Sequence, residues 1–277
     1  MAATVHPIAA NGFAAGASMY RIARPDYPKS AVHHLLSRSR PAESTPLTIL
    51  EIGSGTGIFT KHLLSLPAQT RVICLEPNLG MRALAEQDLG SGSNGVSLEF
   101  ISNPEATASN IPLPDNSVDR IYNAQAFHWY ANLDALREMR RVLKPGGVLG
   151  LIWNMEDPDT PWVRAIRTMY EEFEQGTPQY RLGLWKRVWQ EPEAGELFEV
   201  PLNERTFRHE QTCVGGIEAI WRRVQTKSYI SVLAEEERAA LREKVLKVLE
   251  GYDVKLNADG NVEYPYTTDV FLTNVKK

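Results

Sequence analysis

Between Leu47 and Trp153, short apolar runs alternate with amphipathic stretches. The runs cover residues 47–52, 71–75, 98–101, 118–123 and 147–153. They are brief, partly β-branched and bounded by turn residues, as strands covered on both faces are. The stretches between them predict helices. Residues 26–37 carry Pro28 in the first turn, and residues 57–66 follow the first strand directly. Asn78 is placed to cap a helix that runs through Ala85. Leu133, Leu136, Met139 and Leu143 share one helix face, which stops near Pro145-Gly146-Gly147. Alternation at this rhythm predicts an α/β fold with a doubly wound, mostly parallel sheet.

Beyond Trp153 the pattern changes. Trp162, Ile166, Met169, Tyr170 and Phe173 fall on one helix face, and Trp185, Val188 and Trp189 extend an aromatic-rich segment. Residues 204–212 alternate as a strand, 216–230 and 235–250 read as helices, 251–262 as a loop and 267–275 as a last strand. Residues 90–95 read as a short flexible loop. The total is seven strands in one domain over residues 18–277. A helical cap over the carboxyl ends of the strands is expected mainly from 155–264, and 1–17 reads as a loose tail.

Composition narrows the function classes. The 277 residues suffice for one large α/β domain with a cap. The net charge of −4, without a Lys/Arg run, argues against a nucleic-acid partner and an anionic membrane surface. No apolar stretch has the length of a membrane span, and residues 1–17 lack the basic start and apolar core of a signal peptide. Cys74 and Cys213, without a short spacing, argue against a zinc site or a disulfide framework, and no metal is expected. A reducing, cytoplasmic location is the simpler expectation. The expected form is a monomer or homodimer.

The strongest chemical signal is Glu51-Ile52-Gly53-Ser54-Gly55-Thr56-Gly57, which ends the first strand and opens a helix. Glycines belong where a turn is tight and a ligand approaches the backbone. The spacing is G-x-G-x-G, whereas the dinucleotide fingerprint places its third glycine one residue later. Glu51 can face the cationic amino group of a bound amino acid and would repel a pyrophosphate. Glu76, closing the second strand, can accept both hydroxyls of a ribose, although a solvated loop acid would look the same.

The glycine loop, Glu76-Pro77-Asn78 with Met81, residues 111–119 (IPLPDNSVD) and Leu143-Lys144-Pro145-Gly146-Gly147 occur in the order that resembles class I S-adenosylmethionine methyltransferases of the type 11 group. Trans-aconitate methyltransferases are similar in size and layout. The resemblance spans residues 18 to 155. It implies a Rossmann-like sheet with an antiparallel final strand, S-adenosylmethionine as cofactor and S-adenosylhomocysteine as product. Residue by residue, it implies that Gly53, Ser54, Gly55 and Gly57 wrap the methionine part, Glu76 with Pro77 holds the ribose and Met81 packs on adenine. Ala108-Ser109 stands where relatives carry Ala-Glu beside adenine, and Asn123 would lie under the methionine moiety. Tyr20 and Tyr27, within the run from Tyr20 to Pro28, could form a lid, and Arg24 could pair with the cofactor carboxylate.

Methyl transfer from a sulfonium releases a neutral thioether, so alignment of acceptor and methyl supplies most of the catalysis. His128, after the fourth parallel strand, is the candidate base, with a purely structural role as the alternative. Gln125, Trp129, Trp153, Arg223, Tyr229 and Tyr27 are the candidate contacts to a small-molecule acceptor. Oxygen is favoured as acceptor atom by analogy, with nitrogen, sulfur and carbon open. Competing readings are a protein that binds the cofactor without transferring methyl, a nicotinamide-dependent oxidoreductase, and a methyltransferase for protein or nucleic acid. The last is disfavoured by Asn123-Ala124-Gln125-Ala126 after strand four.

Overall fold

Each buried apolar run is followed by a segment that carries the chain back over one face of the sheet, so the runs stack in parallel. The computed structural model describes residues 22–37, 46–174 and 176–276. The strands are β1 (Thr48–Ile52), β2 (Arg71–Leu75), β3 (Gly92–Ser93), β4 (Val96–Phe100), β5 (Val118–Ala124), β6 (Leu143–Glu156), β7 (Asn203–Cys213) and β8 (Val262–Asn274). They form one sheet in the order β3-β4-β2-β1-β5-β6-β8-β7. The strands from β4 to β6 are parallel, and β8 runs antiparallel between β6 and β7.

The doubly wound, mostly parallel sheet is therefore present, with an eighth strand beyond the seven expected. The additional strand is β3, inside the stretch read as a flexible loop. Ser93 pairs with Val96, leaving Asn94-Gly95 as a two-residue connection. Both residues have positive φ, 54° and 77°, as the turn that matches strand twist requires. Asn-Gly was the signal for this hairpin.

Other boundaries moved for local reasons. The helix expected over 57–66 is α-helical only at Thr60–Leu63. The helix read to end near Pro145 stops at Val142, and β6 starts at Leu143. The pairing then jumps from Val118↔Leu143 to Arg120↔Val148, so Lys144 to Gly147 bulge out of the strand. The stretch 216–230 breaks into two helices, Glu218–Gln225 and Ser228–Ser231. At the break the Thr226 hydroxyl donates to the Arg223 carbonyl at 2.7 Å, and Lys227 adopts extended backbone. β8 begins five residues earlier than read, because the alternation of buried and half-buried positions extends back through Tyr266 and Tyr264 to Val262.

The helices are α1 (Lys29–Ser37), α2 (Thr60–Leu63), α3 (Leu79–Leu89), α4 (Leu133–Val142), α5 (Pro161–Glu171), α6 (Pro192–Leu197), α7 (Glu218–Gln225), α8 (Ser228–Ser231) and α9 (Glu235–Leu249). Alternate strand residues feed two cores. Leu50, Ile73, Ile121 and Leu149 pack with Leu136, Met139 and Val142 of α4 on one face. Ile49, Val72 and Ile152 pack with Ala31 and Leu35 of α1 and with Phe59 on the other. A third cluster joins α5, α7, α8 and α9 to Tyr264 and Tyr266 at the start of β8. That end of β8 lies beside the carboxyl end of β6, where Glu156 pairs with Tyr266. Among the described residues no helix is long and apolar enough to cross a membrane. The expected tail 1–17 and Tyr20 lie outside the described residues.

Leu136 is fully buried at the contact of α4 with the sheet. Leu136→Ala should cost about 2–5 kcal/mol of unfolding free energy, seen as a lower urea midpoint with an unchanged slope. A loss under about 0.5 kcal/mol would show that α4 does not cover this face.

Candidate active site

β1 delivers the chain to the carboxyl edge of the sheet, where the turn from Gly53 to Gly57 begins. The Gly53 N–H donates to the Leu75 carbonyl at 2.8 Å, which ties the ends of β1 and β2 together. Gly53 has φ of 75°, and a Cβ there would meet the Ala126 Cβ at 2.5 Å. Only glycine allows this turn to pass the segment after β5 so closely. The result is a cavity of about 210 Å³ along the ends of β1, β2 and β5.

Two carboxyl groups lie at its floor. The Glu76 Oε2 accepts from the Gly55 N–H and Oε1 from the Asn78 N–H, both at 2.8 Å. Both oxygens are thereby oriented, and each retains a lone pair for a further donor. Burial raises the Glu76 pKa against the pull of these two bonds. Glu51 is fully buried, and its Oε2 accepts from the Thr60 hydroxyl at 2.7 Å. Its Oε1 has no partner among the described residues. Burial, opposed by the Thr60 bond and helped by the Glu76 charge, pushes Glu51 up to about 8. A carboxyl group kept neutral by burial, with one oxygen unpaired, fits a ligand cation that would restore its charge.

Gly53, Ser54, Gly55, Glu51, Glu76, Pro77, Met81, Ala108, Ser109 and Arg24 all line this cavity. Two expected members do not. A Cβ at Gly57 would meet the Leu89 Cδ1 at 2.6 Å, so this glycine lets α3 approach the loop from behind. Asn123 is buried beneath the floor, its Oδ1 accepting from the Tyr130 hydroxyl at 2.6 Å. It is Tyr130 that reaches the wall, a residue missed although it follows His128-Trp129 in the loop after β5. Tyr27, expected at the acceptor, also lines this first cavity and packs edge-on against Phe59 at 5.5 Å.

A second cavity of about 90 Å³ lies beside the first, with Arg24, Gln125 and Trp129 lining both. Gln125 has φ of 56° and donates from Nε2 to the Asn154 carbonyl at 2.8 Å. Arg24 donates to the Thr226 carbonyl at 2.7 Å. Arg223, Tyr229 and His128 line the second cavity. Trp153 lines neither: it is fully buried, stacked on Tyr180 at 4.5 Å, and belongs to the core.

The Trp153 contact also changes the reading of His128. The indole N–H donates to the His128 Nδ1 at 3.0 Å, so the neutral ring carries its proton on Nε2. Burial, with the nearby Arg24 charge, pushes the His128 pKa down to about 3. The ring offers a hydrogen-bond donor at neutral pH and is poorly matched to proton abstraction.

Two predictions follow from this geometry. For Glu51, the folded-state pKa near 8 lies above that of the unfolded chain. Its contribution is complete below about pH 4.5 and is lost as pH rises through 8. Stability of the ligand-free wild type, compared with Glu51→Gln, should therefore fall with a slope of up to about 1.4 kcal/mol per pH unit between those limits. Parallel stability curves for the two proteins would contradict an abnormally basic Glu51. For His128, nitrogen-edited NMR should show a neutral ring protonated on Nε2 from about pH 5 to 8, and titration near 6.5 would refute the arrangement.

Residues 50–151 match the family model described as a methyltransferase domain. An uncharacterized methyltransferase-like protein of Schizosaccharomyces pombe is 32% identical over 174 residues, covering 61% of this chain and 62% of its own length. An uncharacterized methyltransferase of Mycobacterium tuberculosis is 36% identical over 154 residues, 56% of each chain. The match thus spans less than two thirds of these curated relatives. A solved phosphoethanolamine N-methyltransferase 2 of Haemonchus contortus, bound to phosphomonomethylethanolamine and S-adenosylhomocysteine, superposes with a TM-score of 0.56 at 13% identity. That match covers 97% of this chain and 60% of the nematode protein, and it shows the shared fold. Residues 50–151, which hold the glycine turn, Glu76 and the segment after β5, are thus similar to a methyltransferase domain.

Proposed function

We propose that the protein is an S-adenosylmethionine-dependent methyltransferase for a small-molecule acceptor. The observation that carries this reading is the pair of buried carboxyl groups at one end of a glycine-walled cavity. Glu76 is held there by two backbone N–H groups, and Glu51 keeps an unpaired oxygen. A pyrophosphate would meet two acids at this floor, whereas an adenosyl amino acid brings ribose hydroxyls and an ammonium group.

In this reading Glu76 accepts the ribose hydroxyls, Glu51 ionises to face the ammonium, and Gly53, Ser54 and Gly55 offer backbone to the methionine part. Met81, Pro77, Ala108 and Ser109 border the adenine. Held by these residues, S-adenosylmethionine would supply an electrophilic methyl group with a neutral thioether as its leaving group. The chain's own task is alignment and exclusion of water. Trp129 and Gln125, on the wall common to both cavities, are placed to hold the acceptor against the methyl, with the elements of 155–264 as the cap that selects it. His128 serves as a donor that orients the acceptor. An acceptor oxygen that is already ionised needs no base, which adds a physical reason to the analogy favouring O-methylation.

Calorimetric titration with S-adenosylmethionine, S-adenosylhomocysteine and NADH tests the cofactor. The adenosyl ligands should bind at micromolar strength and NADH should not. Glu76→Ala should weaken them at least about 30-fold, the loss of two hydrogen bonds to a charged group. Binding of NADH instead, or of none of the three by folded protein, overturns the reading.

A further inference from the structure

One hydroxyl sits where the ends of β1 and β5 converge. The Tyr130 Oη lies 2.6 Å from the Asn123 Oδ1 and 3.1 Å from the Ile52 carbonyl oxygen, and it can donate to either. It also lies 3.6 Å from the place that a Cβ on Gly53 would take. A phenol has one proton, and the shorter contact, to Asn123, takes it. Asn123 is buried beneath the floor and Ile52 ends β1, so both acceptors belong to the strands rather than to the cavity. With its proton drawn down to them, the oxygen keeps lone-pair density for the cavity that Tyr130 lines. The ring below it is held edge-on against Phe127 at 5.9 Å.

This oxygen remains a neutral dipole. Burial first, then the charges of Glu76 and Glu51, raise the Tyr130 pKa well above that of an ordinary phenol. The hydroxyl is thus within electrostatic reach of both acids. An adenosyl amino acid with its ribose at Glu76 and its ammonium at Glu51 carries its sulfur between those two ends, because the bond path from ribose to amino group runs through sulfur. Trp129, on the wall common to both cavities, directly precedes Tyr130. A sulfur facing that wall falls beside the Tyr130 hydroxyl.

We propose that the Tyr130 hydroxyl oxygen is a cofactor contact that reads the charge on sulfur and favours a sulfonium over a thioether. The inference rests on the methyltransferase reading. The negative end of the hydroxyl dipole faces a fixed positive charge and the methyl C–H bonds which that charge polarises. The same oxygen gains little from a neutral thioether. The contact therefore holds the methyl donor more tightly than the demethylated product. A purely structural hydroxyl, tying β5 to β1, would serve both ligands alike.

The test is calorimetric titration of the full chain with S-adenosylmethionine and, separately, S-adenosylhomocysteine. In Tyr130→Phe the ratio of the two affinities should shift at least about threefold against S-adenosylmethionine. This variant leaves the buried Asn123 Oδ1 without its donor, which costs folding stability. Asn123→Leu/Tyr130→Phe removes both partners and is titrated beside it, with the same shift expected. Binding of S-adenosylhomocysteine reports a folded site in each protein. A shift of less than about threefold in the folded variants overturns the inference alone, whether the two ligands weaken together or neither weakens. Wild type that binds neither ligand overturns the methyltransferase reading, and this inference with it.

Discussion

The close pass of Gly53 beneath Ala126 governs the geometry of the whole site. A side chain at residue 53 would overlap the Ala126 Cβ, so the turn after β1 and the segment after β5 would have to separate. The Gly53 N–H bond to Leu75 fixes the same turn to β2. Three strand ends are thereby drawn to one point, and the functional groups follow. Glu51 lies just before the turn, Glu76 just after β2, and Gln125 just after β5. The Gly55 N–H of the same turn then orients Glu76. The site is an outcome of backbone packing before any side chain contributes chemistry.

The two cavities are opposite in electrostatic character. The first has two carboxyl groups in a buried floor, close enough that the Glu76 charge raises the Glu51 pKa. The second has cations in excess of carboxylates. Burial disfavours charge in both: it raises the Glu51 pKa to about 8 and lowers that of Lys227 to about 7. A cationic ligand in the first cavity would let Glu51 ionise. Arg24, Gln125 and Trp129 belong to both walls and join the two cavities.

Local chemistry made the fold and the first cavity legible. The apolar runs gave the parallel block, the Asn78 side chain does accept from the Met81 N–H as a helix cap, and the glycine turn with its acids pointed to one edge of the sheet. What escaped notice depended on tertiary contacts or on weak local signals. Glu156 and Lys227 are separated by 71 residues, and neither shows in sequence that it faces the other. The helix break that presents Lys227 rests on a Thr226 hydroxyl that looks ordinary inside an amphipathic pattern. The β3–β4 hairpin, in contrast, was available in Asn94-Gly95 and was obscured by the surrounding glycines and serines.

His128 shows how one distant contact can reverse a chemical role. By residue type and position it reads as a base. The Trp153 indole, from the neighbouring strand, occupies the nitrogen that would have been the acceptor. Trp153 is itself fixed by Tyr180, Trp185 and Phe271, so the donor cannot readily turn away. The imidazole is thus locked by an aromatic core into a single tautomer, whose Nδ1 accepts from Trp153 and whose Nε2–H alone is left to a ligand. A site so arranged favours acceptors that arrive already nucleophilic. It spends its structure on aligning them, which is where displacement at a sulfonium gains most of its rate.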